Sequence, residues 1–138
     1  MKRIIDHFLR EWKDNPNRKP LLLRGARQVG KTHAARELGK SFPNFVEINL
    51  ETNSDARKVF EKDLNIERIL QQLSVLLDTD IKPHTTLLFL DEIQHVPQTV
   101  IALRYFYEFM PELHVVAAGS LLDFAIEKVG APVGRITQ

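Results

Sequence analysis

The run Gly25-Ala26-Arg27-Gln28-Val29-Gly30-Lys31-Thr32 has a glycine, four residues, a second glycine, then lysine and threonine. That spacing suits the capture of a phosphate chain. Glycines permit backbone angles that turn successive amides inward as an anion nest, and a helix starting close behind adds its own unpaired N–H groups and dipole. Lys31 would reach the terminal phosphates, and the Thr32 hydroxyl would bind a magnesium ion carried by them. Magnesium needs a second protein anchor, and Asp91, closing the apolar run Leu87–Leu90, offers a carboxylate at the end of a strand. The next residue, Glu92, is suited to orient or deprotonate a water attacking the terminal phosphate.

Weaker candidates surround these. Ser120 follows the apolar run Val115–Ala118 and either touches the terminal phosphate or attacking water, or caps a helix beginning at Leu121. Arg104 and Arg135 are candidates for a charge clamp on a developing transition state, against the commoner role of solvated surface arginines. The histidines, His7, His33, His84, His95 and His114, show no metal-ligand spacing and read as surface or packing residues.

These residues need elements to hold them. Ile4, Ile5, Phe8, Leu9 and Trp12 recur at helical spacing, so residues 2–14 read as an amphipathic helix, ended by the Pro16 and Pro20 segment. Leu21–Leu23 is too short for a helix and reads as a buried strand leading into the glycine loop. Thr32–Lys40 follows as a helix whose small Ala34 and Ala35 allow close approach to a sheet. Phe45, Val46 and Ile48 mark a second strand, and Asn53 or Ser54 caps a helix starting near Asp55. Ile66, Ile69, Leu70, Leu73 and Leu77 mark another helix. Leu87–Leu90 and Val115–Ala118 are further strands, separated by a helix over Pro97–Met110 that reads as apolar around most of its circumference. Leu122, Ala125, Ile126 and Val129 suggest a last helix before Gly130, Pro132 and Gly134 loosen the chain. Such alternation predicts an α/β fold, a mainly parallel sheet with helices on both faces.

Bulk properties restrict the rest. The 138 residues, 43% hydrophobic and 27% charged, suit one packed domain spanning 1–138. A net charge of +1 provides no global field to attract nucleic acid, and nothing beyond scattered Arg and Lys supports such a partner. No apolar run approaches the length of a membrane span, and Asp6, His7, Arg10 and Glu11 break up any export signal. The absence of cysteine excludes disulfides and thiolate chemistry and fits a reducing cytoplasm.

The segments LLLRGARQVGKT, VEINLE, LLFLDEIQHVP, VVAAGSLL and the closing VGR resemble, in order and spacing, the N-terminal part of an AAA-type ATPase family of bacteria and archaea whose longer members carry a C-terminal domain of unknown function. The resemblance implies a three-layer P-loop core of the additional-strand type, with sheet order fifth, first, fourth, third, second. It implies ATP and Mg2+ as ligands, residues Gly25 to His33 around the phosphates, Thr32 and Asp91 on the metal, Glu92 as water activator and Ser120 as a polar sensor. His33 departs from the smaller polar residue usual after Lys-Thr. The chain ends where the family continues into a fifth strand, a helical lid and a further domain, so the expectation is an N-terminal piece lacking its fifth strand. The expected activity is ATP hydrolysis driving a conformational change in the longer protein, with a macromolecular client that the residues do not identify and a possible homo-oligomer. A regulatory nucleotide switch with little hydrolysis is the alternative, as are a GTPase, for which no Asn-Lys-x-Asp signature is present, and a small-molecule kinase.

Overall fold

The computed structural model describes residues 4–24, 29–119 and 134–137. In chain order the elements are α1 (Ile4–Asp14), β1 (Leu21–Arg24), α2 (Val29–Gly39), β2 (Asn44–Asn49), α3 (Ser54–Lys62), α4 (Ile66–Leu77), β3 (Thr86–Asp91), a short 3-10 turn (Ile93–His95), α5 (Gln98–Phe109), β4 (His114–Gly119) and β5 (Gly134–Thr137).

The five strands form one sheet in the order β2-β3-β4-β1-β5, and every neighbouring pair is parallel. Parallel strands need crossovers, which the intervening helices provide. Side chains alternate between the two faces of the sheet, and each face is covered. Leu22, Val46, Ile48, Leu88, Leu90, Val115 and Ala117 pack under α3, α4 and α5 through residues such as Phe60, Leu73 and Phe106. Leu21, Leu23, Leu87, Phe89, Val116 and Ala118 pack on the opposite side against Leu9 and Trp12 of α1 and Ala34, Ala35 and Leu38 of α2. Burial on both faces is why the central strands are nearly continuous aliphatic runs rather than alternating ones.

The α/β class, the parallel sheet, the helices on both faces and the strand order all agree with the sequence reading. The exception is the fifth strand, expected to be missing: Gly134–Thr137 pairs in parallel with β1, in register from Leu21–Gly134 to Arg24–Thr137. Its only aliphatic residue is Ile136, so no apolar run marks it. Backbone pairing to β1 makes it a strand, and that partner lies more than a hundred residues earlier in the chain.

Local chemistry explains the starts of α3 and α4. Asn53 is the cap of α3, accepting from the Ala56 N–H at 3.0 Å, and Ser54 is its first helical residue. Asn65 caps α4 in the same way through Arg68 N–H at 3.1 Å. The expected stripe on α4 is buried at Ile66, Ile69, Leu70 and Leu73, with Leu77 packed at its margin. The helix after the glycine loop begins at Val29, earlier than Thr32, so Gly30 and Lys31 lie in its first turn. α5 is more two-sided than expected: Val100, Ala102, Leu103 and Phe106 are buried, while Arg104, Glu108 and Phe109 are exposed. The expected helix around Leu122–Val129 lies outside the described residues.

Candidate functional site

The sheet register brings the carboxyl ends of β1, β3 and β4 together. Arg24 pairs with Gly119 and Leu90 with Ala117, so the segment leaving β1, the acidic end of β3 and the end of β4 share one rim. In open parallel sheets this rim, beside a point where the chain reverses its direction across the sheet, is where ligand crevices form. The order β2-β3-β4-β1-β5 creates such a point, because the chain leaves β1 for the far edge at β2 and returns.

Helix α2 starts on that rim and points its first turn into it. Lys31 is only 3% exposed. Its Nζ donates to the Gly119 carbonyl at 3.2 Å, at the end of β4. Burial holds the Lys31 ammonium below its ordinary pKa, opposed by the negative charges of Glu92 and Asp91. One residue on, the Thr32 hydroxyl donates to Asp91 Oδ2 at 3.1 Å, joining positions 59 residues apart.

Asp91 ends β3 and is buried. Burial pushes its carboxyl pKa up, and the charges of Glu92 and Glu47 push the same way. The hydrogen bonds from Thr32 and from the Glu92 N–H, the latter reaching Oδ1 at 2.9 Å, pull it down. A carboxylate whose charge is disfavoured by burial gains when a cation arrives. Thr32 and Asp91 together present an all-oxygen pair, the donor chemistry that Mg2+ takes.

Glu92 has left-handed backbone angles, φ 57° and ψ 44°. A non-glycine residue in that region costs on the order of 1–3 kcal/mol and persists where its surroundings enforce it. Here the enforcement is the immediate burial of Ile93 and Val96, both fully inaccessible, on either side of the 3-10 turn. The reversal at Glu92 leaves its carboxylate half-buried on the rim while the chain dives into the core. Gln94 Nε2 donates to Glu92 Oε1 at 2.8 Å and fixes the orientation of that carboxylate.

The structure thus gathers Lys31, Thr32, Asp91 and Glu92 at one rim. Gly25, Ala26, Arg27, Gln28 and Ser120 lie outside the described residues. Val29 and Gly30 are placed as the start of α2. His33 is exposed and lines a cleft of about 780 Å³ between α1 and α2, with Arg10, Lys13 and Glu37. Arg104 lies on the outer face of α5, where its Nε donates to Glu108 at 3.1 Å along the same helix. Arg135 is placed in β5, and its side chain is outside the described residues.

Sequence reasoning missed the partners. Gly119 as acceptor for Lys31 and Gln94 as the group holding Glu92 carry no motif signal, since a backbone carbonyl and a glutamine are ordinary residues until packing places them. It also missed that Glu51, Glu92 and His95 converge, each offering a ligand atom within 4.8 Å of the others. Spacing along the chain hides this, because Glu51 follows β2 and the other two follow β3.

This arrangement defines a three-layer α/β domain whose parallel sheet carries a buried lysine, a hydroxyl and two adjacent carboxylates on its carboxyl rim. A family model described as an AAA domain matches residues 17–138, and the chain belongs to that family. No curated protein matches the chain. Among solved structures it is similar to the structure of C. elegans PCH-2, at 17% identity and a TM-score of 0.44, covering 97% of this chain and 40% of that one. The chain therefore spans well under half the length of that protein.

Proposed function

We propose that this chain is a P-loop ATPase core that binds ATP with Mg2+ and, in its full-length form, hydrolyses it to drive a conformational change. The observation that carries the reading is the 3.1 Å contact between the Thr32 hydroxyl and Asp91, with Lys31 beside it and Glu92 next along the chain. Membership of the AAA domain family supports it.

In this reading the backbone amides from Gly25 to His33 surround the phosphates while the His33 side chain faces the α1–α2 cleft, and Lys31 exchanges the Gly119 carbonyl for phosphate oxygens. Thr32 and Asp91 would hold the metal. When bound, Mg2+ neutralises charge across the phosphates. Glu92 orients a water and accepts its proton as the water attacks the terminal phosphate in line, while the bond from that phosphorus to the bridging oxygen breaks and ADP leaves. Ser120 contributes a polar contact to the phosphate or the water. We assign residues 1–138 to this single core, with α1 as an integral part of it and a cytoplasmic location. Among the described residues no helix is long and apolar enough to cross a membrane.

The test is calorimetric titration with ATP and with GTP, with and without Mg2+, on the wild type and on Asp91→Asn. ATP should bind more tightly than GTP, and Mg2+ should tighten ATP binding in the wild type and not in Asp91→Asn. Equal tightening in the variant would remove Asp91 from the metal site. The hold of Gln94 on Glu92 favours a second reading, a nucleotide switch that scarcely turns over. Single-turnover measurement on the longer protein separates the two, since a switch releases intact triphosphate.

A further inference from the structure

We propose that Glu51, Glu92 and His95 form a binding site for Zn2+ or a similar borderline-soft cation, distinct from the oxygen pair of Thr32 and Asp91, and that occupancy of this site inhibits turnover. The inhibitory half rests on the assignment of Glu92 as water activator; the binding half does not.

Three observations carry the site. The first is the donor set. Carboxylate oxygen and imidazole nitrogen are both zinc donors, and three protein ligands leave a fourth position open, whereas magnesium, which takes oxygen donors, gains nothing from the imidazole. Neighbouring residues Asp91 and Glu92 would therefore serve different cations, sorted by donor chemistry.

The second is the distance. The three ligand atoms lie within 4.8 Å of one another, and His95 Nε2 is already 3.6 Å from Glu51 Oε2. Tetrahedral bonds of about 2.0–2.1 Å put ligand atoms about 3.3 Å apart, so closure needs about 1.5 Å of side-chain movement at most. Glu51 and His95 are exposed, so no core packing opposes a movement of that size.

The third is the rigidity of the backbone beneath them. Leu50 N–H donates to the Asp91 carbonyl at 2.9 Å, tying the segment after β2 to the end of β3. Glu51 N–H donates to Asn49 Oδ1 at 2.8 Å, and His95 N–H donates to the Glu92 carbonyl at 3.3 Å. Ile93 and Val96 anchor the turn in the core. Gln94, bonded to Glu92 Oε1, orients the carboxylate as outer-sphere groups do for metal ligands. A cation held there would engage the carboxylate assigned to water activation.

The test is a calorimetric titration of the chain with zinc chloride in excess Mg2+, without nucleotide, on wild type, His95→Ala, His95→Gln, Glu51→Gln and Asp91→Asn, each checked for folding by circular dichroism. The expected result is one zinc per chain, with affinity lowered at least about tenfold in both His95 variants and in Glu51→Gln, and unchanged in Asp91→Asn. No binding by the wild type, or wild-type affinity in either folded His95 variant, would overturn the site. A loss confined to Asp91→Asn would overturn it too, by assigning the zinc to the oxygen pair. In the second arm, turnover of saturating Mg-ATP by the longer protein should fall with zinc in the wild type and resist zinc in His95→Ala, which without zinc turns over normally. Binding without inhibition overturns the inhibitory half alone. If Glu92→Gln turns over as the wild type does, the assignment of Glu92 has failed while the binding result stands.

Discussion

Lys31 and Asp91 sit a few side chains apart, and burial presses both toward neutrality, the lysine with its pKa lowered and the aspartate with its pKa raised. The charge of Asp91 partly offsets the burial of Lys31, and a metal-bound phosphate chain would relieve both residues at once. This is the physical reason to place the polyphosphate at the rim they share. Glu92 differs, being half-buried and carried on a left-handed turn next to the buried Ile93. Glu92→Gln keeps the size and the hydrogen-bonding shape while removing the base. The expected outcome for the longer protein is ATP affinity within about twofold of the wild type and turnover reduced by about 10² to 10⁴, measured by phosphate release. Wild-type turnover in that variant would remove Glu92 from the mechanism. At this scale the candidate residue types were legible in the sequence, since only certain side chains are suited to phosphate, metal and water in this order. The partners were not, because Gly119 and Glu51 are brought in by proximity across strands and Gln94 and His95 by the conformation of the turn at Glu92.

Element boundaries follow from local rules where a side chain can satisfy an orphan N–H, as at Asn53 and Asn65, and from contact where it cannot. Gly39, the last residue of α2, shows contact overriding propensity. Replacing a helical glycine by alanine ordinarily stabilises by up to about 1 kcal/mol. Here a Cβ would overlap the Phe45 ring, which lies in stacked geometry on Phe89 with centroids 6.4 Å apart. Gly39→Ala should therefore destabilise by about 1–3 kcal/mol in urea unfolding, as overpacking does. Stabilisation instead would mean that Phe45 moves aside freely. The length and amphipathic stripe of α4 were plain in the sequence, but the two-sidedness of α5 was not. Tyr105, Phe106, Tyr107 and Phe109 give it an all-round aromatic appearance, and only packing decides that Phe106 is buried and Phe109 is exposed.

For the molecule as a whole, α1 is joined to the sheet through a buried histidine. His114, the first residue of β4, packs edge-on against Trp12 and Phe42, with ring centroids 5.5 and 4.9 Å away. Its Nε2 lies 2.9 Å from the Lys13 carbonyl, which can only accept, and its Nδ1 lies 3.1 Å from Arg18 Nη2, which can only donate. The pair of contacts selects the neutral tautomer protonated on Nε2. Burial, more than the nearby positive charges, pushes the His114 pKa down from 6.5 to about 4. A lowered pKa means the unfolded chain binds the proton more readily. The contribution of His114 is therefore complete above pH 6.5 and is lost as pH falls toward 4. Thermal melts should show the wild type losing stability relative to His114→Gln across that window, and parallel pH curves would show that His114 does not titrate there. What the sequence determined by itself was the alternation of strands and helices and the set of candidate residues for phosphate, metal and water, since periodicity and chemical type are properties of short segments. Only the tertiary structure decided that Gly134–Thr137 is a strand, that His114 is a core residue, and that Glu51 and His95 stand beside Glu92. The strand pairing, the packing of His114 and the arrival of Glu51 each depend on a partner far away in the chain, and distance in space is not written in any local run of residues.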